Sequence, residues 1–287
     1  MTHEGMELLF TRSKWDMPEE SLDRFLQHIQ GSGFKGSEIF LPALREPPEE
    51  VIGLHQQYGL NLVAMIATDG QTPKDHLHSL HERFVYAAKV KPVHINCHTG
   101  RDCFPLEDNL TIFRRSLELS ADYGISISHE THRGRATYST LSTKALLAAL
   151  PDIRLTADFS HWCCVHESLL ADQEDVVMLA IQHADYIHAR VGYIEGPQIS
   201  DPRAPEWKTE VETHLGWWKK IVDLHRRRGS SYLAICPEFG PPPYMQQLAY
   251  TQQPVANLED INVYMMHLIS DRFGSKNLHK EGDRAGM

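Results

Sequence analysis

Pro92-Val93-His94-Ile95-Asn96-Cys97 opens a stretch that closes on Ile125-Ser126-Ile127-Ser128-His129-Glu130, with Leu110, Phe113 and Leu117 between them. The two ends are short runs rich in apolar and β-branched residues, which suit strands. The middle places its apolar residues at i, i+3 and i+7, which suits one face of a helix. Strand, helix, strand is the unit from which parallel sheets are built. It recurs in both directions along the chain. Further strand candidates are residues 6–10, 37–41 and 61–67 upstream, and 153–158, 185–191 and 231–236 downstream. Helical stripes fall between and after them: Leu22, Phe25, Leu26 and Ile29; Val211, Leu215, Trp218 and Val222; Ile261, Tyr264, Met265 and Leu268. Pro18-Glu19-Glu20 suits the first helix start, with acidic residues at the positive end of the helix dipole.

Eight such units in 287 residues give about 36 residues each, the size of a (β/α)8 unit. Alternating strands and helices also build doubly wound open sheets. No G-x-G-x-x-G or G-x-x-x-x-G-K-[ST] follows any strand, however, so the usual nucleotide-binding reason for an open sheet is missing. The expectation is an α/β protein: a single-domain (β/α)8 TIM barrel over residues 1–273, followed by a polar, aperiodic tail at 274–287. The Gly- and Pro-containing stretch 193–207, after the seventh strand, reads as an active-site lid or wall.

Composition narrows the function classes. Hydrophobic residues make up 41% of the chain, and no run approaches the roughly 18 consecutive apolar residues of a membrane helix. The N-terminus lacks the order of a signal peptide. Five cysteines with no C-x-x-C pair suit free thiols in a reducing, cytoplasmic setting, with the adjacent Cys163 and Cys164 read as buried thiols. Asp and Glu number 38 against 28 Lys and Arg, and the net charge of −10 argues against nucleic acid as a partner. A small-molecule substrate, with neither nucleic acid nor membrane, is the expectation; homo-oligomerisation is left open. Eighteen histidines direct attention to metal.

Ionisable residues gather where the later strands end: His94-Ile95-Asn96-Cys97-His98, His129-Glu130-Thr131-His132-Arg133, Asp158-Phe159-Ser160-His161, His188-Ala189-Arg190 and Pro237-Glu238-Phe239-Gly240. In a barrel these ends meet at one mouth. Side chains alternate along a strand, so Glu130 shares a face with His132, His188 with Arg190, and His94 with Asn96 and His98. One inward choice per strand aims Glu130, Asp158, His188 and Glu238 at a single point. Two Glu, one Asp and one His suit a hard divalent ion, Mn²⁺ first, with Mg²⁺, Co²⁺ or Zn²⁺ as alternatives. The set has no thiolate, unlike a structural zinc site.

In order and spacing, with 28, 30 and 50 residues separating the four, this series resembles the xylose isomerase-like TIM barrels. That superfamily contains sugar isomerases, tagatose 3-epimerase-like enzymes and, more distantly, endonuclease IV. The resemblance implies one divalent ion held by Glu130, Asp158, His188 and Glu238. It makes His161 a contact for substrate oxygens or for a second metal. Arg203 falls in the loop where the family often keeps a substrate-binding arginine. Arg190 and His98 complete the expected substrate-binding set, while Arg133 and Arg135 read as structural. Trp162 reads either as a pocket wall or as core.

The activity that follows is metal-dependent isomerisation or epimerisation of a sugar or related hydroxy-ketone. It would run through a metal-stabilised cis-enediolate, with Glu130 and Glu238 as the acid–base pair on its two faces. A lyase or dehydratase would use the same site and expel a leaving group. An endonuclease IV-like phosphodiesterase needs more histidines than this chain offers: its Asp-x-His pair is matched here by Asp201-Pro202-Arg203. A non-catalytic barrel would be signalled by loss of a liganding Glu, and none is lost.

Overall fold

A computed structural model describes residues 5–274. Eight parallel strands close into a barrel in chain order. They are β1 (Glu7–Ser13), β2 (Gly36–Phe40), β3 (Asn61–Ala67), β4 (His94–His98), β5 (Ile127–Glu130), β6 (Leu155–Ala157), β7 (Ala184–His188) and β8 (Tyr232–Cys236). Around them run α1 (Leu22–Gly31), α2 (Pro48–Tyr58), α3 (Pro73–Lys89), α4 (Leu106–Tyr123), α5 (Thr140–Ala149), α6 (Phe159–His166), α7 (Glu174–His183), α8 (Lys208–Arg228) and α9 (Leu258–Phe273). β1 pairs with both β2 and β8, which closes the ring and excludes the open sheet. None of the helices among the described residues is long and apolar enough to cross a membrane. Of the expected tail only Gly274 is described; 275–287 lie outside the described residues.

Where boundaries differ from the sequence reading, a local interaction explains the shift. The first helix begins at Leu22, after Pro18-Glu19-Glu20, because the Ser21 hydroxyl caps it by accepting from the Arg24 amide at 3.3 Å. The sixth strand stops at Ala157. Asp158 leaves the strand to become the N-cap of α6, its carboxylate accepting from the Ser160 amide at 3.1 Å. The seventh strand ends at His188, three residues earlier than its apolar run, and Ala189–Val191 continue as buried loop.

The strands carry two cores. Outward side chains such as Ile95, Ile127, Leu155, Ile187 and Ile235 join Phe25, Phe113, Trp218 and the rest of the helix-facing side chains in one large apolar layer. Inside the barrel only Leu9, Val63, Tyr186, Ala234 and Cys236 form an apolar cluster. Other inward positions are polar and partner one another. Thr11 meets the Tyr186 hydroxyl at 2.9 Å, His94 Nε2 meets Ser128 Oγ at 2.6 Å, and Thr156 donates to Asn96 Oδ1 at 2.8 Å. Toward the C-terminal rim this polar interior becomes ionisable.

Candidate metal centre

Glu130 at the end of β5, Asp158 after β6, His188 at the end of β7 and Glu238 just after β8 each present one ligand atom. These four atoms all lie within 4.8 Å of one another, and all four residues are buried. His188 sits at the centre. Its Nδ1 is 2.6 Å from Glu238 Oε2 and 3.4 Å from Glu130 Oε2, while its Nε2 lies 2.8 Å from Glu38 Oε2. The close Nδ1–Oε2 pair is not aligned as a hydrogen bond, and His188 Nδ1, Glu238 Oε2 and Glu130 Oε1 are all buried without a hydrogen-bond partner. Buried polar atoms are nearly always satisfied. Orphans on three of four residues whose ligand atoms cluster within 4.8 Å are what a set of cation ligands looks like, so these residues fit a divalent ion.

Glu238 reaches this position through a backbone at φ 56°, in the left-handed region. That conformation costs a side-chain-bearing residue on the order of 1–2 kcal/mol. The surrounding contacts overrule that preference and turn the carboxylate inward.

The electrostatics follow from burial and from these contacts. Burial alone would strip the proton from His188, but Glu238, Glu38 and Glu130 outweigh it and hold its pKa well above the usual range. Burial pushes Glu238 up to about 7, with His188 and Arg190 pulling the other way. Glu130 goes down despite burial, because His98 and His188 face it. Burial raises Asp158 against the opposing pull of Arg190. Arg190 Nη2 bonds Asp158 Oδ2 and also meets His161 Nε2 at 2.7 Å, while Ser160 occupies Asp158 Oδ1. Burial holds His132 and His161 well below the ordinary histidine pKa.

Beside this cluster opens a cavity of about 230 Å³, lined by His98, Glu130, His132, Arg190 and Glu238 and walled by Trp15, Phe40, Met65, Ala67 and Tyr244. Trp15 follows β1 and meets Tyr244, in the loop after β8, edge-on at 5.3 Å. The approach depends on a glycine: a Cβ at Gly240 would lie 2.0 Å from Trp15 Cζ2.

No protein-family profile matches the chain, and no curated protein matches it in sequence. Solved structures do match in shape. A xylose isomerase-like TIM barrel protein from Mycobacterium smegmatis, in complex with magnesium, superposes with a TM-score of 0.61 at 11% identity, over 96% of this chain and 100% of that one. The chain has the fold of the xylose isomerase-like barrels. The 3-keto-D-glucoside 4-epimerase YcjR of E. coli gives 0.62 at 12% identity, over 92% and 100%. The probable 3-DHS dehydratase AsbF of Bacillus anthracis, involved in petrobactin synthesis, gives 0.59 at 15%, over 92% and 99%.

Within this barrel the structure brings most of the expected residues together. His98 Nε2 is 2.8 Å from Glu130 Oε2, and the rings of His98, His132 and His161 form a row with centroids 4.4 and 4.0 Å apart. Arg190 is at the site but is held by Asp158. Arg203 is not there: its Nε and Nη2 fork onto Asp201 at 2.8 and 2.7 Å on a partly exposed loop. An adjacent carboxylate captured it. Residues 193–207 likewise do not line the cavity. They brace the wall from behind, where Gln198 accepts from the Gly240 amide at 2.7 Å and donates to its carbonyl at 3.1 Å. The wall itself comes from Trp15 and Tyr244. Trp162 is core, fully buried with its indole N–H on the Thr137 carbonyl. Arg135, read as structural, lines the cavity.

Glu38 was missed. An acidic residue within the apolar run 37–41 was its signal, since alternation puts Glu38 on the opposite face from Ile39. Trp15 and Tyr244 lie in loops and carry no such signal.

Proposed function

We propose that this chain is a divalent-metal-dependent isomerase or epimerase acting on a small, sugar-like hydroxy-ketone. Mn²⁺ is the preferred ion, held by Glu130, Asp158, His188 and Glu238. The observation that carries this reading is the clustering of Glu130, Asp158, His188 and Glu238 within 4.8 Å beside one cavity, with His188 Nδ1 and Glu238 Oε2 buried and unpartnered 2.6 Å apart. A bound divalent ion would polarise a substrate carbonyl and acidify the neighbouring C–H.

The chain's own residues do the rest. Glu38 accepts a hydrogen bond from the Nε2–H of His188 and so leaves Nδ1 as its ligand atom, the carboxylate–histidine arrangement that fixes a tautomer. Glu130 and Glu238 come from different strands to the same cavity, so one can remove the proton from the carbon beside the carbonyl and the other can return it. Asn96 steadies Glu130 with a 2.9 Å hydrogen bond from Nδ2. Arg190 holds Asp158 in place, and Trp15 and Tyr244 limit water.

A dehydratase is the second reading. It is favoured by the likeness to AsbF and needs the same proton removal followed by loss of a hydroxyl. A phosphodiesterase shares the fold but is not favoured by the site residues: the histidine it would need after Asp201 is absent, and Arg203 is engaged by Asp201.

The test is metal analysis of purified protein followed by a screen of ketoses and keto-acids in D₂O. Deuterium entering the carbon next to the carbonyl, and blocked in Glu130→Gln and Glu238→Gln, supports isomerase chemistry. Water loss from the same compounds moves the assignment to the dehydratase. Exchange that survives in both variants assigns the proton to another residue.

A further inference from the structure

The two arginines that line the cavity are in opposite situations. Arg190 is engaged by Asp158, Ser160 and His161, with its guanidinium 4.6 Å above the Tyr244 ring. Arg135 makes one bond, from Nη1 to the Thr68 carbonyl at 3.0 Å, and no carboxylate among the described residues forms an ion pair with it. A guanidinium has five N–H donors in a planar fork. Here that fork is half-buried, and burial depresses its pKa because nearby charges do not make up the loss. A partly desolvated cation without a counter-ion is a costly arrangement.

The cavity offers no anion to spare for it. Its carboxylates, Glu130 and Glu238, face His188 at the metal-site end. The rest of the wall is Trp15, Phe40, Met65 and Ala67 with Ser13, His98, His132 and Tyr244, none of them an anion. A ligand that carries a negative charge would complete it. A single fork matches a carboxylate, whose two oxygens it can hold together.

We propose that the substrate is a hydroxy-keto acid, with Arg135 gripping its carboxylate while the hydroxy-ketone end lies at Glu130 and Glu238. This rests on the reading of the site as a metal-dependent hydroxy-ketone enzyme, and it narrows the substrate class within it.

Two flat, unreactive hydroxy-ketones make the test. Comenic acid and kojic acid share a hydroxypyranone ring and differ in carrying a carboxylate or a hydroxymethyl group. Both are titrated calorimetrically into the Mn²⁺-loaded protein, into Arg135→Gln and into Arg135→Lys. Comenic acid should bind at least about tenfold more tightly than kojic acid, in line with a charge-assisted hydrogen-bonded pair. Arg135→Gln should abolish that preference while leaving kojic acid affinity within about twofold, which also shows the pocket intact; Arg135→Lys should keep part of it. Equal affinities in the wild type, or a preference that persists in Arg135→Gln, overturn the proposal. Binding that keeps its dependence on Arg135 but not on Mn²⁺ sinks the metal reading and leaves the carboxylate site standing.

Discussion

On β4, Ile95 and Cys97 join the helix-facing apolar layer, while His94, Asn96 and His98 face the barrel axis. On β5, Ile127 packs outward and Glu130 points in. Even histidines divide this way. His129, on the outer side, is held by Thr99 at 2.6 Å and Ser116 at 3.1 Å and stacks near Phe113; burial takes its pKa down to about 3. His188, on the inner side, is ringed by carboxylates and goes the opposite way. One face satisfies its polar groups within the protein, and the other leaves them unfinished. The outer face therefore sets stability and the inner face sets chemistry, although neighbouring residues of one strand supply both.

The sharpest way to break that division is Glu238→Gln. Activity on the substrate found in the D₂O screen should fall about 10²–10⁴-fold, with the melting temperature little changed. A large loss of stability instead would make Glu238 a structural residue.

The reverse experiment is Trp218→Ala in the outer layer, where the indole is 1% exposed. It should cost about 3–5 kcal/mol in denaturant unfolding while leaving Mn²⁺ affinity of the folded protein unchanged. A matching fall in metal affinity would show that the two faces are coupled.

Glu38 tests how far the inner face extends. Glu38→Leu should weaken Mn²⁺ binding about 10–100-fold by calorimetry. Glu38→Gln should be milder, because the amide oxygen still accepts from His188 Nε2. Equal losses in both would point to charge rather than orientation.

The smallest effect comes from pH. His214, in α8, donates from Nδ1 to the Glu210 carbonyl at 2.8 Å and accepts at Nε2 from the Gly192 amide at 3.2 Å, so only its neutral form fits. Burial lowers its pKa to about 4. The unfolded chain then binds the proton first, and stability is complete above about pH 6.5 and declines as pH falls toward 4. Between pH 7 and 5.5 this amounts to about 1 kcal/mol. His214→Gln should flatten the slope of stability against pH by that amount; an unchanged slope would place the acid sensitivity elsewhere.

The sequence made the barrel legible because strand and helix periods alternate so regularly, and it made Glu130, Asp158, His188 and Glu238 legible because each sits where a strand ends. Arg203 was misread for a local reason: Asp201, two residues away, holds it on the loop. Arg135 was read as structural and Tyr244 was not singled out, because loops have no period from which to infer direction. Glu38 was legible but unread, since attention stayed on the later strands, where the ionisable residues are dense.

The bond between Glu38 and His188 spans 150 positions of the chain. All four candidate ligands lie in the second half of the barrel, from β5 onward. The residues that steady Glu130 and His188 and close the near wall, Glu38, Asn96, His98 and Trp15, lie in the first half. A chain divided between β4 and β5 would thus yield one fragment whose Glu130 and His188 lack the groups that orient them, and another with those groups and nothing to orient. Tight metal binding would then report the reunion of two half-barrels, and the centre belongs to their seam rather than to either part.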